Sequence, residues 1–204
     1  MWEEVVLELS KYDWIDWTIL VTGLLYAFFS VLNKPVCWIF GIISCGLLSW
    51  KDYSEYQLFF DSGLQLLYVY MGIVGLYRWI KSKKDTGYPR IETLPFSSHL
   101  NALVFGTISS LVLVFIVQFF VNPAFALLDS VTTVFSIWAT WLLVNRIYEN
   151  WIYWLFINGA YIYIFYAQGG TLVAILYVVY LATAITGLIS WNYVMRQQRK
   201  KAIL

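Results

Sequence analysis

The stretch from Glu149 to Asn158, Glu-Asn-Trp-Ile-Tyr-Trp-Leu-Phe-Ile-Asn, places two indoles, two amides and a carboxylate at the start of an apolar run. On a helix, Trp151, Trp154 and Asn158 stand at i, i+3 and i+7 and share one face. Two π surfaces with an amide one turn deeper could hold a flat, polar, electron-poor ring. The same residues also suit an interfacial aromatic belt, with Asn158 bonded to a neighbouring helix.

A second polar line runs through Asp61, Gln65, Tyr68, Gly72, Gly75 and Trp79, one continuous helical face. Its counterpart later in the chain is Val173, Tyr177, Tyr180, Ala184, Gly187 and Trp191. The small residues are explained by close helix approach, which leaves Asp61 and Gln65 unexplained. Polar groups in hydrocarbon are costly unless they face protein or a wet cavity. Asp61 lies near a segment end, where solvent suits it, and Gln65, one turn deeper, is the better candidate for a ligand contact. Hydroxyl stripes follow the same periodicity at Asp129, Thr133, Ser136 and Thr140, and at Thr18, Thr22, Tyr26 and Ser30. A hydroxyl can bond a carbonyl of its own helix. Polar faces on three helices that must pack together nevertheless describe the lining of a passage.

Catalytic chemistry has no foothold here. The chain has no Gly-x-Ser-x-Gly, no His-Glu-x-x-His, no Walker loop and no Cys/His cluster at metal spacing. No catalytic residue, metal ligand or cofactor is expected. The single histidine, His99, is expected in a solvated link, and Cys37 and Cys45 as small buried residues. Eight helical residues separate the two cysteines by roughly 12 Å, too far for a disulfide.

The elements that must position these groups are membrane helices. The 204 residues are 61% hydrophobic and 12% charged, with a mean hydropathy of +0.69, against about 45–50% apolar and about 25% charged for soluble domains. The composition predicts an all-α integral membrane protein with the lipid bilayer as its surroundings. A net charge of +1 argues against a nucleic-acid partner. The acidic start (Glu3, Glu4, Glu8, Asp13, Asp16) is unlike a signal peptide, so the first apolar segment is expected to stay. A crossing needs roughly 17–25 mostly apolar residues. With fewer allowed where protein covers the segment, seven are read: Ile15–Leu32, Val36–Trp50, Leu58–Ile80, Leu100–Val121, Val131–Val144, Trp151–Ala167 and Leu172–Met195. The second and fifth are short, which predicts ends shielded by protein.

The chain reads as a single membrane domain over 1–204. A first three-helix repeat spans 15–80, a cytoplasmic link with Pro89 and Pro95 spans 81–99, a linker helix spans 100–121 and a second three-helix repeat spans 129–195. At an offset of 112, Asn33 matches Asn145, Tyr68 matches Tyr180, Gly75-Leu76 matches Gly187-Leu188 and Trp79 matches Trp191. Three helices, one linker and three helices give parallel repeats, with substrate expected at their interface. Of the 13 Lys and Arg, all but Lys11 and Lys51 fall on the side of the C-terminus: Lys34, Arg78, Lys81, Lys83, Lys84, Arg90, Arg146, Arg196, Arg199, Lys200 and Lys201. The positive-inside rule then puts the N-terminus outside and the C-terminus in the cytoplasm.

A family resemblance rests on Trp38-x-x-Gly41-Ile42, Leu58-Phe59-Phe60-Asp61-x-x-Leu64-Gln65 and Gly75-x-x-x-Trp79 in the first half. In the second half it rests on Asp129-x-x-Thr132-Thr133-x-x-Ser136 and Glu149-Asn150-Trp151-x-x-Trp154-x-x-x-Asn158. Together, from about Asp16 to Trp191, the chain resembles the PnuC-type vitamin transporters. The resemblance implies a SWEET-like arrangement and uptake of nicotinamide riboside into the bacterial cell by facilitated diffusion across the inner membrane. It also implies trapping by an intracellular kinase, with Gln65, Trp151, Trp154 and Asn158 as substrate contacts. The chain departs from the family pattern at Leu76, Phe59 and Ser44, where the family often has Trp, Tyr and Asn, and Ser44 lies toward the site. With the polar faces, the expected substrate-binding set is Trp38, Ser44, Asp61, Gln65, Tyr68, Thr133, Asn150, Trp151, Trp154, Asn158 and Tyr177. A pyridinium over an indole gains about 0.5–2 kcal/mol, and Gln65 and Asn158 match a carboxamide donor for acceptor. Thiamine, another flat cation, fits the same chemistry and is the alternative substrate. A non-transporting receptor or scaffold is the alternative class, and a homo-oligomer is compatible with either.

Overall fold

The first helix is started by its own sequence. Asp13 Oδ1 accepts from the Ile15 and Asp16 amides at 2.8 Å each, and the Asp16 side chain accepts from the Asp13 amide at 3.1 Å. This reciprocal capping satisfies donors that a helix start leaves free. The computed structural model describes residues 6, 9–55, 57, 59–86, 90–120 and 125–201. Glu3, Glu4, Glu8, Leu58, Pro89 and Val121 lie outside the described residues, as do the side chains of Phe59, Phe60, Lys83, Lys84 and Lys201.

Among the described residues seven helices are named: α1 (Trp14–Val31), α2 (Val36–Ser54), α3 (Phe59–Thr86), α4 (Phe96–Phe120), α5 (Ala126–Val144), α6 (Asn150–Ala167) and α7 (Thr171–Lys201). Among the described residues the sole strand-like feature is a parallel bridge between Glu92 and Ile147. By length and composition alone, four of these helices are apolar enough to cross a membrane, over Trp14–Val31, Phe96–Phe119, Ala126–Val144 and Thr171–Lys200. The other three, α2, α3 and α6, are the ones that carry Trp38 and Ser44, Gln65 and Tyr68, and Trp154 and Asn158. Their lower hydropathy comes partly from groups that face inward, as described below.

Helix ends differ from the apolar segments in an instructive way. α3 continues to Thr86 and α7 to Lys201, because Lys, Arg and Gln favour helix once the apolar run has ended. The link between halves is correspondingly shorter than 81–99. His99 lies inside α4, half-buried, with Nδ1 3.1 Å from the Tyr153 hydroxyl, so it is not a solvated link residue. α2 extends through Lys51 and Asp52, both buried. Lys51 Nζ reaches Asp16 at 2.5 Å, Asp13 at 3.3 Å and Glu55 at 3.6 Å, so protein shields the end of this helix.

Helices α1, α2 and α3 pack in sequence, as do α5, α6 and α7, while α3 meets α5 and α1 meets α7. These contacts close a ring of six helices, with α4 packed outside it against α5. The α1–α2 and α5–α6 corners repeat bond for bond. Leu32, Asn33 and Lys34 amides donate to Phe28, Ser30 and Phe29 carbonyls, as Asn145, Arg146 and Ile147 amides donate to Trp141, Leu143 and Leu142. Asn33 (φ 52°) and Arg146 (φ 54°) are both left-handed. The counterpart of Asn33 is therefore Arg146 and not Asn145, because the second half is one residue shorter between this corner and its Gly-Leu-x-x-Trp end. Trp38 pairs with Trp151 by the same shift, and the Gly-Leu-x-x-Trp ends of α3 and α7 keep the offset of 112.

Candidate functional site

All six ring helices contribute to one cavity of about 290 Å³, at the low end of the roughly 300–1,000 Å³ typical of small-molecule sites. Its floor is tryptophan. Trp38 lies on Gly75, and Trp151 on Gly187, so closely that a methyl group on either glycine would run into the ring. Trp38 meets Trp79 edge-on at 5.5 Å and 88°, Trp151 meets Trp191 at 5.5 Å and 88°, and Trp79 and Trp191 approach at 6.2 Å. The chain of four rings is symmetric about the axis relating the halves. Trp79 and Trp191 are fully buried, Trp38 and Trp151 nearly so. An aromatic belt at the membrane surface does not describe Trp151. The indole N–H groups of Trp38 and Trp151 are buried and have no hydrogen-bond partner among the described residues.

Above the floor the two walls differ. The α6 wall presents Trp154, half-buried, and Asn158 where α2 presents Gly41 and Cys45, and Tyr161 and Ser44 also line it. Gly41 is held by the Tyr26 ring, which a Cβ there would approach to 2.9 Å. Asn158 and Gln65 make no hydrogen bond among the described residues, although Asn158 is only 4% exposed. Other polar groups on the wall are already engaged. Ser44 Oγ donates to Ile19 O at 3.0 Å, Ser30 to Tyr26 O at 2.7 Å and Thr140 to Ser136 O at 2.8 Å. Tyr68 and Tyr161 line the cavity together with Ser136, whose buried Oγ has no hydrogen-bond partner among the described residues. Tyr177 stacks on Tyr161 at 4.7 Å and on Phe165 at 5.4 Å, and those two rings lie 6.0 Å from each other.

Of the residues expected at the site, the structure brings together Trp38, Ser44, Gln65, Tyr68, Trp151, Trp154, Asn158 and Tyr177. Asp61, Thr133 and Asn150 do not line the cavity. Asp61 is exposed in the first turn of α3, and Thr133 sits one turn before Ser136 on α5, above the walled region. Asn150 is fully buried at the α5–α6 corner, where Nδ2 donates to Ile147 O at 2.6 Å. The reason is depth: each stripe names a helix face, and the cavity occupies only part of each face. Tyr26, Tyr161 and Tyr180 line it as well. Tyr161 continues the Trp154–Asn158 face by one turn and could have been found by extending it.

No Lys, Arg, Asp or Glu lines the cavity among the described residues. A nearby cation, Arg146, lies at the corner between α5 and α6 with its guanidinium 4.3 Å from the centre of the Trp79 ring. Burial lowers its pKa to about 10, so it stays charged at neutral pH. The site thus offers π faces, two free amides and several hydroxyls, with no fixed charge on its wall. Such a wall can bind a flat molecule that is neutral or cationic and carries amide or hydroxyl groups.

Residues 13–193 match the family model described as "Nicotinamide mononucleotide transporter". The chain is also similar to a solved structure described as "Crystal structure of the Vitamin B3 transporter PnuC", with 26% identity and a TM-score of 0.74, over 95% of this chain and 87% of that one. No curated protein matches.

Proposed function

This chain belongs to the nicotinamide mononucleotide transporter family, and from that premise we propose that it carries nicotinamide riboside, the form without a phosphate, into the cell. The observation behind the choice is the uncharged wall with two unpaired amides. A phosphate dianion placed there would have no cation within the wall, and burying an unpaired charge is costly. A pyridinium fits: Trp154 offers it a face, worth about 0.5–2 kcal/mol, and Asn158 and Gln65 can exchange hydrogen bonds with a carboxamide and ribose. Transport is facilitated diffusion by alternating access, with direction supplied by intracellular phosphorylation. Exclusion of the phosphorylated product is what makes such trapping work. The membrane is the bacterial inner membrane, with the N-terminus outside.

Calorimetric titration of purified protein with nicotinamide riboside, its mononucleotide, thiamine and riboflavin tests the substrate. The riboside should bind at least about tenfold more tightly than the mononucleotide. Preference for the mononucleotide, or for thiamine, overturns the assignment. Uptake of the bound vitamin into proteoliposome lumens separates a transporter from a receptor.

A further inference from the structure

The two ends of the helix ring are built differently. At one end the halves are tied together by donors that reach backbone carbonyls across the interface. Trp79 Nε1 donates to Val144 O at 3.1 Å, Trp191 Nε1 to Ser30 O at 3.2 Å and Ser190 Oγ to Val31 O at 3.2 Å. At the other end Asp61 stands near enough to Asp52 and Asp129 to repel both.

Arg146 is central to the tied end. It is 4% exposed. Its Nε donates to Asn33 Oδ1 at 2.9 Å and its Nη2 to Trp79 O at 3.2 Å, and its guanidinium covers the Trp79 ring. Both partners belong to the opposite half. Among the described residues no carboxylate pairs with it, so the buried charge rests on dipoles and a π face. Its backbone also occupies the left-handed region (φ 54°), which costs Arg more than it costs Asn33 at the equivalent corner. A residue kept in place against two penalties points to a use for its side chain. The link between halves joins the same corner. The Glu92 amide donates to Arg146 O at 3.1 Å, the Tyr148 amide donates to Glu92 O at 2.8 Å, and Ile91 is buried in the tryptophan cluster.

We propose that Arg146 is the latch that keeps the cavity closed at this end, by holding Asn33 and Trp79 of one half against the corner of the other. Opening requires both bonds to break, and the released guanidinium then regains water. The proposal rests on the alternating-access reading and names the positioning residue of one of its two gates.

A native thiol reports on the latch. Cys37 is fully buried beside Ser30 and Arg146, whereas Cys45 lines the cavity. Alkylation of each by N-ethylmaleimide is followed by peptide mass spectrometry in wild-type, Arg146→Gln, Arg146→Lys and Asn33→Gly proteins. Asn33→Gly keeps the left-handed corner and removes the acceptor. Cys37 should react about tenfold faster or more in Arg146→Gln, with smaller rises for the other two, because the open population grows. Cys45 is already partly exposed with the latch shut, so it has less accessibility to gain and its rate should rise by less than about threefold. A purely structural Arg146 would lower the melting temperature and leave the ratio of the two rates alone. An unchanged ratio in folded Arg146→Gln, or in Asn33→Gly if Arg146→Gln does not fold, overturns the latch. Absence of nicotinamide riboside binding to wild type would instead overturn the substrate reading, and the thiol comparison would still stand.

Discussion

Asn158 and Trp154 are exposed to the cavity in different ways from Trp151, and substitution should separate them. Asn158 has no hydrogen-bond partner among the described residues, so Asn158→Leu should leave stability near wild type. It should weaken binding of a carboxamide by about 1–3 kcal/mol, the cost of an unpaired buried amide on the ligand. Trp154→Ala should remove a cation–π face worth about 0.5–2 kcal/mol. Trp151 packs on Gly187 and against Trp191, so Trp151→Ala should also open a void and lower stability by about 3–5 kcal/mol. Titration calorimetry beside thermal unfolding reads both quantities. Wild-type affinity in folded Asn158→Leu and Trp154→Ala proteins would remove these residues from the site. The shared face of Trp151, Trp154 and Asn158 was legible because helix periodicity alone defines it. The distinct role of Trp151 was not, because it depends on Gly187 of α7, 36 positions away. Asp61, Thr133 and Asn150 fall off the cavity wall for a related reason: periodicity gives direction around a helix and says nothing about depth along it.

Two glycines test how the helices are held together. Gly187 has the Trp151 ring where a Cβ would go, whereas Gly46 of α2 has nothing within 4 Å. Gly187→Ala should push the ring aside and cost about 1–3 kcal/mol by overpacking. Gly46→Ala should be neutral or gain up to about 1 kcal/mol from helix propensity. Melting temperatures in detergent compare them, and equal effects would mean that the close approach of α6 to α7 contributes nothing. Helix number and order were readable from apolar length. Boundaries were not, since apolar length stops at the lipid and the α3 and α7 helices continue beyond it. The repeat was visible through Gly-Leu-x-x-Trp, but the Asn33–Asn145 identity pointed to the wrong partner. The corner is defined by its hydrogen bonds and left-handed φ, which place Arg146 opposite Asn33. That one-residue shift is why the sequence offered no hint that Asn33 and Arg146 meet.

At the scale of the molecule, charge is divided more sharply than a count of basic residues shows. Lys34, Arg78, Arg146 and Arg196 lie at the α1–α2 corner, the end of α3, the α5–α6 corner and the end of α7, all on the tied side of the ring. On the opposite side Lys51 is 3% exposed and surrounded by Asp13, Asp16 and Glu55, so it contributes little positive charge to the surface. Positive residues oriented this way favour the cytoplasm, and the Arg146 latch would then close the cytoplasmic exit. Thr93, exposed on the link between halves, and Glu55, exposed at the end of α2, mark the two sides. In a background with both native cysteines replaced, Thr93→Cys should react with a membrane-impermeant maleimide only after cells are opened, and Glu55→Cys should react in intact cells. Labelling of Thr93→Cys in intact cells would invert the molecule. The cavity and latch would keep their geometry, but Arg146 would guard the entrance, and trapping by phosphorylation would have to act on the Asp61 and Asp129 side.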